Sequence, residues 1–224
     1  MGRYHFVFPQ WSNLLLPGAV IFALVAPIYV VFIVAYGFSP KTTAVGYQPV
    51  QPVPFSHEIH AGELGMDCRY CHTTVEHASM AAVPPTQTCM NCHTQIVPDS
   101  PNVAKLWESY DSGLPVDWIR VHNLPDFSYF DHSIHVNSGV SCVECHGRID
   151  RMDVVYQQEP LSMSWCLECH RNPTPRLREP DRVTDLGWDF DGREAGSPER
   201  LDYQAHWQKL NRVQPTQYCS ACHR

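Results

Sequence analysis

The chain has 224 residues, 44% of them apolar, and a formal charge of -7 from 16 basic and 23 acidic side chains. That length suits one ordinary domain or a pair of small ones. The negative balance and the lack of a basic stripe exclude a nucleic-acid-binding role, whereas an acidic surface suits solubility or the docking of a basic partner protein.

Residues 1–13 read as a cytoplasmic N-terminus that includes Arg3 and His5. Leu14 to Tyr36 follow as 23 residues without a charge. As a helix they extend about 34 Å, enough to cross a bilayer. The rival reading is a cleaved signal peptide, whose apolar region is normally shorter and ends in small residues. Here the run continues into Ala35-Tyr36-Gly37-Phe38, so residues 14–36 are expected to stay as a transmembrane anchor. Tyr4, Phe6, Phe8 and Trp11 before the span, with Tyr36 and Phe38 after it, suit interfacial belts, while Arg3 and Lys41 leave the charge rule nearly silent on orientation. Pro17 and Pro27 are tolerable in lipid where neighbouring helices satisfy the freed carbonyls. Ala19, Ala23 and Ala26 add a small-residue face that fits partner helices as well as a lone anchor. Residues 37–54, rich in proline and turn formers, read as a linker that spaces a globule from the membrane.

Beyond the linker all 10 cysteines fall into five CxxCH strings: Cys68/Cys71/His72, Cys89/Cys92/His93, Cys142/Cys145/His146, Cys166/Cys169/His170 and Cys219/Cys222/His223. Zinc ribbons, a disulfide framework and thioredoxin-like pairs all use CxxC, but none requires histidine directly after the second cysteine. With 13 histidines in 224 residues, five such placements by chance have odds of about one in a million. Covalent haem c attachment needs that pattern: two thiols add across the haem vinyl groups, and the adjacent imidazole reaches the iron. Five covalently bound haem c groups are therefore expected, with these fifteen residues holding them and His72, His93, His146, His170 and His223 as proximal ligands. Because haem c is attached outside the cytoplasm, the globule is expected on the periplasmic face of the cytoplasmic membrane. Residues 40–224 leave about 37 residues per haem, too few for a separate core around each. The expected fold is a multihaem cytochrome c, mostly loops and short helices around stacked haems, with one N-terminal transmembrane helix.

An internal repeat orders the globule. Phe55-Ser56-His57-Glu58-Ile59-His60 precedes Cys68 as Phe130-Asp131-His132-Ser133-Ile134-His135 precedes Cys142, with one residue of offset. The second CxxCH follows the first by 21 or 24 residues. The reading is a first dihaem module over 55–100, a connector over 101–126, a second module over 127–175 and a C-terminal segment with the fifth haem over 176–224. In the connector, Val103 to Tyr110 and Val116 to Val121 are expected as short helices and Leu124-Pro125-Asp126 as a turn. Tyr203 to Leu210 has helical character, and the stretch 176–200, low in apolar residues, is expected to wrap a surface or a partner.

Each FxHxxH string offers two histidines three apart, near each other on one turn yet aimed differently. His57, His60, His132 and His135 are thus the expected distal ligands. For the remaining haem the expected ligand is His122, flanked by Ile119, Val121 and Leu124 and fixed by Pro125; His77 and His206 read as solvated. Met152 or Met163 is the alternative, which would leave His122 hydrogen bonding behind a ligand. Saturated irons favour electron transfer over catalysis, so no catalytic residue is assigned.

PFSHEIHAGELGMDCRYCHT, VPPTQTCMNCH, WIRVHNLPDFSYFDHSIHVNSGVSCVECHGRID, VVYQQEPLSMSWCLECHRNP and the terminal CSACHR resemble the pentahaem cytochrome subunit of alternative complex III, most specifically across 54–173. The resemblance implies a haem wire in a respiratory or photosynthetic quinol-oxidising complex, not catalytic alone. Its implied partners are an iron–sulfur subunit, a monohaem cytochrome and quinol-binding membrane subunits, with a soluble periplasmic carrier or an oxidase downstream. The alternatives are a membrane-anchored quinol dehydrogenase feeding a periplasmic reductase, and a multihaem reductase enzyme.

Overall fold

The computed structural model describes residues 8–223. Arg3, Tyr4, His5 and Phe6 of the expected cytoplasmic segment lie outside the described residues. The chain divides into two compact units, Met1–Thr43 and Ala44–Arg224.

In the first unit a helical run over Gln10–Gly37 spans 28 residues with a mean hydropathy of 2.7 and none of its most apolar window buried. At 1.5 Å per residue that is about 42 Å, long and apolar enough to cross a membrane. Its central part, α1 (Leu15–Phe32), contains Pro27, and the run widens into a π-type turn at Ile33–Gly37. A short helix, α2 (Pro40–Thr43), closes the unit, with the Thr42 hydroxyl donating to the Tyr36 carbonyl at 2.6 Å.

The second unit contains no strand among the described residues, only two isolated bridges, Ser128 with His223 and Val140 with Leu177. Its helices are short: α3 (Cys68–Cys71), α4 (Thr86–His93), α5 (Ala104–Ser112), α6 (His132–Asn137), α7 (Val143–His146), α8 (Met163–Arg171), α9 (Pro198–Leu210) and α10 (Cys219–Cys222). This is the helix-and-loop fold the composition calls for. The protein core is thin. Val53, Met90, Val103 and Leu106 form one buried cluster, against which Trp107, Val116 and Trp118 pack. The chain exposes 15790 Å², against about 10,000 Å² for a compact monomer of this mass. The bare apolar helix contributes to that excess.

Three segments depart from the sequence reading. From Gly46 onward the proline-rich linker lies on the globule: Gly46 donates to the Gln157 carbonyl at 2.8 Å, Gln157 N to the Tyr47 carbonyl at 3.0 Å, and Val53 is 5% exposed. Val116 to Val121 is irregular rather than helical, with Trp118 N donating to the Val116 carbonyl at 2.9 Å. The Gln51 side chain meets both the amide and the carbonyl of Ile119, at 2.9 and 2.8 Å, so that backbone is satisfied without a helical turn. The stretch 176–200 supplies core as well as surface. Leu177 and Val183 are fully buried, with Leu186 and Phe190 nearly so, and Gln204 of α9 donates to the Pro175 and Leu177 carbonyls at 2.8 and 3.1 Å. Its few apolar residues are spaced to point inward, which a compositional average hides. The expected helix at Tyr203 begins earlier, at Pro198, where the Ser197 hydroxyl accepts from Arg200 N. The turn after Leu124 runs one step on, closed by Ser128 N to the Pro125 carbonyl at 2.8 Å.

Candidate haem sites

Each CxxCH string sits on or at the end of a helical turn. The amides of His72, His146 and His223 donate to the carbonyls of Cys68, Cys142 and Cys219 at 2.9 Å, an i to i−4 bond that gathers both thiols and the imidazole on one face. Asp67 caps α3 by accepting from Arg69 N. The second site of each module ends a longer helix, α4 or α8. None of the ten thiols is in a disulfide, as thioether formation requires.

The FxHxxH strings bring their histidines opposite these sites. His57 faces His72 with ring centres 6.5 Å apart and planes 4° apart; in the second module His132 faces His146 at 6.5 Å and 12°. His60 faces His93 at 6.0 Å and 56°, and His135 faces His170 at 6.1 Å and 50°. A metal–imidazole bond of about 2 Å on each side, plus about 1.1 Å from nitrogen to ring centre, separates two axial imidazoles by about 6 Å. The four pairs therefore have the spacing that a six-coordinate haem iron requires. A phenylalanine sets each distal pair. Phe55 meets His57 edge-on at 4.8 Å and stacks on His60 at 4.4 Å, while Phe130 meets His132 edge-on and stacks on His135, both at 4.7 Å.

The outer ring nitrogens are mostly engaged. Nδ1 of His60, His72, His132, His135 and His170 lies 2.7–2.8 Å from the carbonyls of Ser56, Ala82, Ser79, Asp131 and Thr216, and that of His93 lies 3.1 Å from Ile96. An Nδ1–H given to a carbonyl leaves Nε2 with its lone pair for a metal. Burial, reinforced by neighbouring imidazoles, holds His57 down at about 4 and His146 at about 3, and also lowers His122 and His135. These rings are neutral at physiological pH, the state that binds iron. Burial raises the Cys71, Cys89, Cys166 and Cys169 thiols, and Cys145 to about 12.

The fifth site differs. The ring facing His223 is Phe127, 5.8 Å away and tilted by 36°. His122, expected there as a ligand, instead approaches His146, with Nε2 3.3 Å from Nδ1. Met152 is buried, its carbonyl accepting from Glu58 N at 3.1 Å, and Met163 opens α8 largely exposed. His77 and His206 are exposed, as expected.

Contacts between sites also establish which are neighbours. His132 N donates to the Ser79 carbonyl and Ser133 N to that of Ala78, tying the second module to the loop after His72. The Cys68 and Cys142 side chains lie beside one another, so the first and third sites are neighbours. Thr216, just before the fifth site, accepts from His170, and Tyr129 N donates to the Cys222 carbonyl at 2.8 Å.

A family model described as cytochrome c7 and related cytochrome c matches residues 53–105 and 128–224, leaving out most of the connector. The menaquinone reductase multiheme cytochrome c subunit of Nitratidesulfovibrio vulgaris is 30% identical over 172 residues, which cover 66% of this chain and 81% of that protein. With the motifs, the paired imidazoles and both matches in agreement, the chain belongs to the cytochrome c7 and related cytochrome c family: it is a multihaem cytochrome with covalently bound haem c that transfers electrons.

Proposed function

We propose that the chain is a pentahaem electron-transfer subunit of the alternative complex III type, held by its N-terminal helix with the globule on the periplasmic face of the cytoplasmic membrane. Bound haem c supplies a one-electron ferric/ferrous couple. The observation that carries the reading is the twofold repetition of facing histidines, 6.5 and 6.0 Å apart in the first module and 6.5 and 6.1 Å in the second. Cys68, Cys71, Cys89, Cys92, Cys142, Cys145, Cys166, Cys169, Cys219 and Cys222 attach the groups. His72, His93, His146, His170 and His223 are the proximal ligands, and His57, His60, His132 and His135 are distal ligands to the first four. The contacts between sites support the spatial order second, first, third, fourth, fifth. A chain of adjacent sites moves electrons from one end to the other and leaves no open iron at the four paired positions, which favours a wire over a reductase. The electron donor in this reading is an iron–sulfur subunit, with a monohaem cytochrome and quinol-binding membrane subunits in the same complex. The acceptor is a periplasmic carrier or an oxidase.

A second reading is supported by the relative's own name: the same scaffold serves a menaquinone reductase subunit in that organism, so the chain could work in a complex that moves electrons toward quinone rather than away from it. Gentle detergent purification followed by mass spectrometry, with quinol oxidation assayed on the product, separates the two. The proposal expects an iron–sulfur subunit and quinol-binding membrane subunits to co-purify and oxidise quinol, while the separated cytochrome subunit does not. Quinone reduction without quinol oxidation would favour the second reading, and robust quinol oxidation by the cytochrome subunit alone would favour a quinol dehydrogenase.

A further inference from the structure

Among the histidines that face one another, six direct Nδ1 at a backbone carbonyl at 2.7–3.1 Å. His146 is different: its Nδ1 meets a side chain, Nε2 of His122, at 3.3 Å with the ring planes 76° apart. We propose that His122 is a positioning residue for the third haem site, accepting the Nδ1 proton of His146 and making that imidazole a stronger electron donor to its iron than its carbonyl-bonded counterparts. The proposal rests on the reading of His146 as an axial ligand.

The direction of the bond follows from the inventory of the two rings. An imidazole that gives Nε2 to iron carries its proton on Nδ1, so His146 donates and His122 accepts on Nε2, with its own proton on Nδ1. A neutral imidazole nitrogen is a stronger base than an amide oxygen, so it draws the Nδ1 proton further from His146. The resulting electron-rich ligand favours ferric over ferrous iron and lowers the potential of that site. His122 is well placed to hold this geometry. On its N-terminal side Gln51 clamps both backbone groups of Ile119, the Arg120 guanidinium donates to the Asn123 side chain at 3.1 Å, and the turn from Pro125 to Ser128 follows. An Nε2 directed at His146 is not free to bind iron elsewhere, and the ring facing His223 is Phe127.

The test uses the full chain matured in a host competent for c-type cytochromes. Haem-peptide mass spectrometry of the native protein comes first: a Cys142–Cys145 peptide without haem would overturn the reading of the site itself. With haem present there, His122→Phe should move one midpoint potential upward while the low-spin signals of the native protein are unchanged. His122→Gln, whose side-chain oxygen can accept near the same point, should return most of that shift. A new high-spin signal in either variant would make His122 an iron ligand and overturn the proposal, and so would unchanged potentials throughout in His122→Phe. Should His122→Phe fail to mature, His122→Gln decides alone, a spin state unchanged from the native protein supporting the proposal and an additional high-spin haem sinking it.

Discussion

The two copies of the internal repeat share one arrangement of facing histidines built on different supports. Phe55 and Phe130 wedge their histidine pairs at nearly the same distances and angles, and the facing distances agree to within 0.1 Å between modules. Yet the first module has one more residue between its distal histidines and its first cysteine. A π-type turn over Glu58–Glu63, closed by Leu64 N to the Ile59 carbonyl at 2.9 Å, takes up that residue where the second module has the ordinary helix α6. A wide turn absorbs an inserted residue without moving the side chains before it. The outer hydrogen bonds differ too. His132 has the Ser79 carbonyl and His146 has His122, whereas His57 has a buried Nδ1 with no partner and His72 relies on the Ala82 carbonyl. Two sites with the same ligands can therefore sit at different potentials, because the supporting bonds set how electron-rich each imidazole is.

The largest expected effect breaks the comparison at its ligands. Replacing His57, His60, His132 or His135 singly with Ala should convert one haem to high-spin in each case, with total haem content unchanged, as read by electron paramagnetic resonance and pyridine haemochrome. A variant among the four that leaves the low-spin signals as they are in the native protein would show that the modules are not equivalent.

Next come the glycines where each distal helix meets a neighbouring backbone. A Cβ on Gly62 would run into the Asp150 carbonyl and one on Gly139 into the Arg178 carbonyl, but only Gly139 also has a positive φ, +85°. Gly139→Ala should destabilise the haem-loaded protein by about 3 kcal/mol and Gly62→Ala by about 2 kcal/mol, the difference being left-handed strain. Thermal unfolding of both variants checks the order, and equal losses would contradict it.

The smallest effect concerns the residue before each first cysteine. Asp67 bonds the Arg69 guanidinium at 2.9 Å, which holds its carboxyl down at about 2, whereas its counterpart Ser141 is an uncharged, buried hydroxyl donating to the Val183 carbonyl at 2.6 Å. A carboxyl lowered by folding contributes stability above its unfolded value and loses it as pH falls through the folded one, here from about 4 to about 2. Asp67 is partly exposed, so solvent screening keeps that contribution below about 1 kcal/mol. Acid titration of Asp67→Asn should show a flatter stability loss over that window, and Ser141→Ala should leave the acid limb as it is.

Much of this was legible because haem attachment places strict demands on short strings. Two thiols and an imidazole must share a helical turn, and two distal imidazoles three residues apart must leave it in different directions, so CxxCH and FxHxxH declare themselves by spacing alone. The apolar run declares the N-terminal helix in the same way. What stayed hidden depends on contacts far apart in sequence. The pairing of His122 with His146 spans 24 residues and the capture of Ile119 by Gln51 spans 68, and neither has a periodic signature. Leu177 and Val183 are buried in a stretch whose composition reads as surface, where Arg178 N donates to the Gly139 carbonyl and the Val183 carbonyl accepts from the Ser141 hydroxyl and Cys142 N. The proposed order of the sites has no sequence signature either, since Cys68 and Cys142 lie 74 positions apart and yet are neighbours.

The central claim, five haem sites in two like modules plus one, is tested most directly by the intact mass of the mature protein from a competent host. The account predicts a polypeptide carrying five covalent haems with no thiol left to alkylate. A mass increase of four haems or fewer, with free cysteines in any one CxxCH peptide, would contradict it.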